Sequence, residues 1–282
     1  MGETLKRAIS GAVYIILLLS SILYSTESFL ILFGIFLIIS LFEFCNLIQI
    51  NRLIPIISGA SLYLLITILS NYDNNKTVDV SSLDIVLLAI TLLISIKCIV
   101  FLFDNKNHEI SNLSKYLYLL GYITLPFVFI TKISFGVNDY NPKIIIGLFI
   151  LIWTNDTFAY IVGKSIGKHK LFEKISPKKT IEGFFGGLIF AIFAGYLIST
   201  YLIKPSVQFS DKSILIWVII AAIVGVIGTV GDLIESKFKR IAGVKDSGKI
   251  MPGHGGVLDR LDSVIFVAPF IFLFYKILYY VS

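Results

Sequence analysis

The chain has 282 residues, 56% of them hydrophobic and 15% charged, with a mean hydropathy of +0.89; a water-soluble domain of this length is excluded, and the chain belongs in a bilayer. In that setting a formal net charge of +6 points to anionic lipid headgroups and phosphorylated substrates, with no nucleic acid among the expected partners. Cys45 and Cys98 fall inside apolar runs without the spacing of a metal knuckle or a disulfide framework, so both are expected to be packing residues.

A spanning helix needs about 20 mostly apolar residues. Nine stretches meet or approach that length: 8–25, 28–47, 53–70, 84–103, 116–131, 143–163, 183–202, 214–234 and 261–281. Runs this long without period-2 alternation form helices, because backbone groups in hydrocarbon must be satisfied within their own segment. The expected fold class is all-α, a polytopic integral membrane helical bundle of about nine transmembrane helices. The first run follows Lys6 and Arg7 as a signal peptide would, but no small-residue cleavage site follows and another apolar run starts almost at once, so it is read as a retained span. The fifth is the weakest, being short and carrying Pro126.

Lys and Arg in the connections set the orientation. With a cytoplasmic N-terminus, seventeen fall on that side and five on the other (Lys76, Lys132, Lys143, Lys204 and Lys212), while Lys97 and Lys276 lie within spans. The bias rests on two basic loops, 164–182 and 235–260, an even number of crossings apart; both are expected to face the cytoplasm. Residues 71–83 are expected as an outer loop and 104–115 as an inner one. There is no internal repeat or long linker. Chemically active residue types concentrate late in the chain, so 1–135 reads as scaffold helices and 136–282 as the catalytic region.

The most informative segment runs from Gly231 to Asp262. Asp232 and Glu235 are three apart and share a helix face, as do Asp259 and Asp262 at the start of the last span. Acids at the membrane end of a span need a cavity, a partner or a metal, and oxygen ligands suit Mg2+, which keeps positions for water and substrate phosphates. Asp259 and Asp262 equally suit the N-terminus of a helix, and Glu235 equally suits an i, i+4 pair with Lys239. Between the acids lie Lys237, Lys239, Arg240, Lys245, Asp246 and Lys249, then Pro252-Gly253-His254-Gly255-Gly256. Glycines let backbone amides approach a phosphate, and the helix that follows adds its positive end. His254 suits phosphate donation or acid catalysis near neutral pH, and equally a turn residue.

A second cluster closes the sixth span: Asp156 with Asn155 and Thr157, then Lys164, Lys168, His169 and Lys170, then Ser176-Pro177-Lys178-Lys179-Thr180 and Glu182. Asp156 precedes the first lysine by about two turns, so it is expected inside the bundle or its interface, where it needs a metal, a lysine or a neighbouring side chain. Thr180 reads as a helix cap. Ser176, Lys178 and Lys179 also offer hydroxyl and ammonium donors to phosphate.

Ser236 to Asp262 resembles the signature of the phosphatidate cytidylyltransferase (CDP-diacylglycerol synthase) family: S-x-F-K-R, four residues, K-D-x-G, an apolar position, P-x-H-G-G, one apolar residue, x-D-R-x-D. The positions are filled by Ser236, Phe238, Lys239, Arg240, Lys245, Asp246, Gly248, Met251, Pro252, His254, Gly255, Gly256, Val257, Asp259, Arg260 and Asp262. Met251 stands where Leu, Ile or Phe is usual, a conservative departure. Asp156 through Tyr160 and Gly163 to Glu182-Gly183 is also similar, and the first half matches only as apolar helices.

The resemblance implies a multi-pass enzyme of a bacterial inner membrane whose site faces the cytoplasm. It would join CTP and phosphatidic acid into CDP-diacylglycerol and pyrophosphate with Mg2+; a second, monovalent cation and a homodimer stay open. In that frame Asp232 and Asp259 are expected as metal ligands, with Asp156 and Asp262 as ligands or their immediate supports. Lys239, Arg240, Lys245 and Arg260 would neutralise phosphates, with Asp246 and His254 beside them in the catalytic set. Ser176, Lys178, Lys179, Thr180, Ser236, Gly255 and Gly256 would bind substrate. A CTP-dependent kinase of a polyprenol-type lipid stays open beside this, as does a membrane transporter, though clustering of the acids at one membrane face speaks against the latter.

Overall fold

The computed structural model describes residues 2–72, 82–104, 110–135, 140–203 and 213–281; Lys76, Lys106, Lys204 and Lys212, and parts of the connections expected at 71–83 and 104–115, lie outside them. Among the described residues nine helices follow in order: α1 (Glu3–Tyr24), α2 (Thr26–Leu47), α3 (Leu53–Tyr72), α4 (Ser82–Phe103), α5 (Asn112–Ile133), α6 (Pro142–Ile166), α7 (Ile181–Leu202), α8 (Ser213–Ile241) and α9 (Leu258–Val281). Eight are long and apolar enough to cross a membrane, and α3 carries a shorter apolar stretch, Leu53–Ile68. The all-α multi-pass bundle expected from the run lengths is the fold observed.

Local chemistry fixes the joints. At Ser25 the backbone is extended, its Oγ accepts from Ser28 N–H (3.2 Å), and its own N–H donates to Ser28 Oγ (3.1 Å), a reciprocal cap that turns α1 into α2. In α5, Pro126 has no N–H for the carbonyl of Tyr122, and its ring would crowd that oxygen. The turn Leu119–Thr124 widens to i→i+5 pairing, so that Leu125 N–H and Thr124 Oγ1 reach back to Leu120 and Leu119. The helix survives its proline and is longer than the 116–131 expected. It is also the most buried of the candidate spans, packed at the centre of the bundle.

A β-hairpin sits between α6 and α7: β1 (Lys170–Phe172) pairs antiparallel with β2 (Ser176–Thr180), Lys170 opposite Thr180 and Phe172 opposite Ser176. The expected basic loop is thus partly strand, in segments of three and five residues too short to show a period-2 pattern. Glycines on α7 let it lie close to α6: a Cβ at Gly183 would stand 2.6 Å from the Ala159 carbonyl, and one at Gly187 would stand 2.6 Å from that of Asn155.

Helix α8, with 29 residues, is about 43 Å long at 1.5 Å per residue, against about 30 Å of hydrocarbon. Its last turns therefore project beyond the core of the bilayer. Phe238 anchors that projection among Phe44 (4.9 Å between ring centroids), Phe101 (4.7 Å), Tyr118 (5.2 Å) and Tyr122 (5.7 Å). Lys237 donates to the carbonyls at the end of α4, including Asp104 at 2.6 Å, and satisfies orphan acceptors of that helix. Cys45 and Cys98 are buried and free.

Candidate active site

Asp232 and Glu235 lie on one face of α8, and Asp262 enters from the second turn of α9. Carboxylate oxygens of the three fall within 4.8 Å of one another. The approach needs a glycine: a Cβ at Gly231 would stand 2.5 Å from Cβ of Phe266 on α9. Glu235 is fully buried; one of its oxygens pairs with Lys239, and Oε1 has no hydrogen-bond partner among the described residues. Three carboxylates packed this tightly in an apolar bundle are costly unless a cation or protons neutralise them. The orphaned Glu235 oxygen and the all-oxygen donor set fit a hard divalent ion such as Mg2+.

The loop from Ala242 to Val257 is folded around Asp259. One carboxylate oxygen accepts from Lys239 Nζ (2.7 Å); the other accepts from Ser247 N–H (2.9 Å), Ser247 Oγ (2.9 Å) and Gly256 N–H (2.7 Å). In this arrangement Asp259 accepts from four donors and holds the loop around itself. Lys239 is buried between Glu235 and Asp259 and pairs with both. Gly255 has φ +85°, and a Cβ there would stand 2.5 Å from Asp259; at Gly256 it would stand 2.2 Å from Ser247 Oγ. Both glycines are needed for this wrap.

The other basic segment reaches the same end of the bundle. Lys179, on β2, pairs with Asp232. Burial opposes the Lys179 charge, but Asp232, with Asp156 and Asp262 beyond it, outweighs burial and raises the pKa, so the ammonium persists at neutral pH. Asp156, exposed on α6, is in electrostatic reach of Asp232, Lys179 and Arg260. Thr180 Oγ1 accepts from Gly183 N–H (3.1 Å) and caps α7. Glu182 accepts from the backbone N–H groups of Lys168 (3.0 Å) and His169 (3.2 Å), closing the base of the hairpin. Arg240 spends its guanidinium on the carbonyls of Ile175 (3.2 Å) and Val244 (3.1 Å), tying hairpin to loop. Ser236 donates to Asp232 at 3.3 Å. Lys178, Lys245 and Asp246 are exposed, and Ser176 half-buried, around this centre.

At the edge nearest α1, Arg260 donates to the His254 carbonyl (3.0 Å). Burial and then the Arg260 and Arg7 charges lower the His254 pKa, leaving the imidazole neutral at neutral pH.

Two carboxylates were not among the expected site residues. Glu235 was legible as half of a carboxylate pair with Asp232, or as the partner of Lys239, but was given no ligand role. Glu43, on α2, is buried at 1% exposure and accepts from Val257 N–H (3.1 Å), Leu258 N–H (2.8 Å) and Ser247 Oγ (3.3 Å), capping α9 from across the bundle. A residue of the first half thus holds the loop that leads into α9. The signal for Glu43 was a lone acid in an apolar run.

The sequence profile of the cytidylyltransferase family matches residues 5–278. The chain belongs to that family. It is 32% identical to a phosphatidate cytidylyltransferase of Bacillus subtilis over 96% of this chain and 97% of that one. Phosphatidate cytidylyltransferases of Staphylococcus saprophyticus and Staphylococcus epidermidis are 52% and 46% identical, over 43% and 45% of this chain and 44% and 46% of theirs. The chain is thus a nucleotidyltransferase, with the catalytic chemistry to be sought where its carboxylates and lysines meet.

Proposed function

We infer that the protein is a phosphatidate cytidylyltransferase. A phosphate oxygen of phosphatidic acid attacks the α-phosphorus of CTP; the bond from that phosphorus to the oxygen bridging to the β-phosphate breaks, pyrophosphate leaves, and CDP-diacylglycerol forms. The observation that carries this reading is the trio of a buried Glu235 and half-buried Asp232 and Asp262, with an oxygen of Glu235 left unpaired among the described residues, at the end of the bundle where both basic segments converge.

Asp232, Glu235 and Asp262 would hold Mg2+, with Asp156 in electrostatic reach of Asp232. Bound there, the ion would polarise phosphate oxygens and neutralise charge at the reacting centre. The chain's own part is positioning and electrostatics, which carry most of a phosphoryl-type transfer. Lys179 stays charged beside Asp232 and faces the leaving phosphates together with Lys178 and the exposed Lys245. Asp259 and Glu43 fix the Gly255-Gly256 turn, so that the backbone next to Asp262 is ordered before substrate arrives. The excess of Lys and Arg at this end of the bundle supports a cytoplasmic site in a bacterial inner membrane.

Purified protein in phospholipid vesicles, given CTP, phosphatidic acid and Mg2+, should release pyrophosphate and CDP-diacylglycerol in equal amounts. Release of CDP with a newly phosphorylated lipid would instead assign it to the lipid kinases.

A further inference from the structure

The reaction above uses no residue of α1, yet α1 turns a row of polar groups toward the catalytic loop. Ser10 Oγ donates to the Pro252 carbonyl (2.8 Å) and lies 2.7 Å from His254 Nδ1. Beside it, a Cβ at Gly11 would stand 3.2 Å from the same imidazole. A turn earlier, Arg7 lies against Gly253, where a Cβ would come within 2.8 Å of its Cγ. The Arg7 and Arg260 charges both act on His254. A turn later, Tyr14 is buried at 9% exposure; its hydroxyl has no hydrogen-bond partner among the described residues and sits in the field of Arg260 and Asp262. A buried hydroxyl without a partner is costly, and a ligand oxygen would satisfy this one.

We propose that Arg7, Tyr14, His254 and Arg260 form the receiving site for the phosphate monoester of the lipid substrate, which enters from the bilayer along α1. The lipid's identity rests on the reaction inferred above. Asp262 is in electrostatic reach of Lys179 and Asp232 and also of Tyr14. A nucleotide held by the basic segments and a lipid phosphate held by α1 would meet across that carboxylate.

The lipid-facing side of α1 supports this entry. Val13 and Ile16 are 56% and 66% exposed, and an apolar groove of about 670 Å3 between α1 and α2 is lined by Leu17, Leu23, Ile31, Leu32 and Ile35. Arg7 and Leu17 are separated by about 15 Å along the axis at 1.5 Å per residue, about half the hydrocarbon thickness, which is the depth one acyl chain reaches. At 100° per residue, Arg7, Ser10, Tyr14 and Leu17 fall in one sector about 80° wide. The polar row and the near edge of the groove at Leu17 therefore share one flank of the helix, and the rest of the groove lies deeper than one acyl chain reaches.

The test separates the two substrates. With wild-type protein in mixed micelles, Arg7→Ala should raise KM for phosphatidic acid about 10-fold or more, and Tyr14→Phe about 3-fold, the scale of a lost charged or neutral hydrogen bond. KM for CTP should stay within about 2-fold, and Arg7→Lys should recover most of the loss. Equilibrium binding of a fluorescent phosphatidic acid to the same proteins, without CTP, should weaken in parallel. A rise in KM for CTP by the same factor, or unaltered lipid binding in both Arg7→Ala and Tyr14→Phe, would overturn the site. Wild-type protein that binds the lipid through Arg7 but yields no CDP-diacylglycerol would overturn the proposed reaction and leave the site standing.

Discussion

Glu43 and Asp259 act as a pair of clamps, one on each side of the turn that precedes α9. Glu43→Ala would strand the N–H groups of Val257 and Leu258 and leave Ser247 with a single acceptor; at about 1–3 kcal/mol for each buried unpaired group, a clear fall in thermal unfolding temperature in detergent is expected, with Glu43→Gln losing less. An unchanged unfolding temperature in Glu43→Ala would remove the clamp from the account. Lys239→Met should be destabilising in its own right, because it leaves Glu235 and Asp259 without their shared cation; the loss of one partner from such a buried set costs about 3–5 kcal/mol. At this scale the acids at 232, 259 and 262 were legible as a site from their spacing. Their division of labour was not, because whether Asp259 meets an ion or four donors depends on how a fifteen-odd-residue loop folds back, and no helical periodicity encodes that.

Among the elements, the helices were readable because hydrocarbon leaves the backbone no other solution. The hairpin was not, since three- and five-residue strands carry too little pattern and closure comes from Glu182, Thr180 and the long-range tie of Arg240 to Ile175. Thr180→Ala should therefore loosen both the α7 start and the hairpin that carries Lys179. A cap is worth about 1 kcal/mol, so the stability change should be small and the rise in KM for CTP larger by comparison; an unmoved KM would mean that hairpin position is not set here. The packing of α6 on α7 predicts a harsher outcome for Gly187→Val. Its Cβ has no room against the Asn155 carbonyl, and forcing the helices apart costs about 1–3 kcal/mol and displaces Asp156, so both unfolding temperature and turnover should fall.

Over the whole molecule, the charge bias correctly suggested that the two basic segments belong together, and the contacts of Lys179 with Asp232 and of Arg240 with Ile175 join them at one end of the bundle. At the other end Lys132 pairs with Asp84 (2.9 Å). The first half of the chain was legible only as apolar helices, because Phe44, Phe101, Tyr118 and Tyr122 look like any membrane aromatics until Phe238 is found among them. Those contacts fuse the early helices to α8 and so hold Asp232 and Glu235 in place from a distance.

The central claim is that Asp232, Glu235 and Asp262 act together on a divalent ion to transfer CMP onto the lipid. Pyrophosphate release by reconstituted protein, measured across a Mg2+ titration for wild type, Glu235→Gln and Asp262→Asn, tests it most directly. Wild type should turn over only with the ion present, and each variant should fall by about 100-fold or more while inserting and unfolding normally. Wild-type turnover without any divalent ion, or near-normal release by both variants, would contradict it.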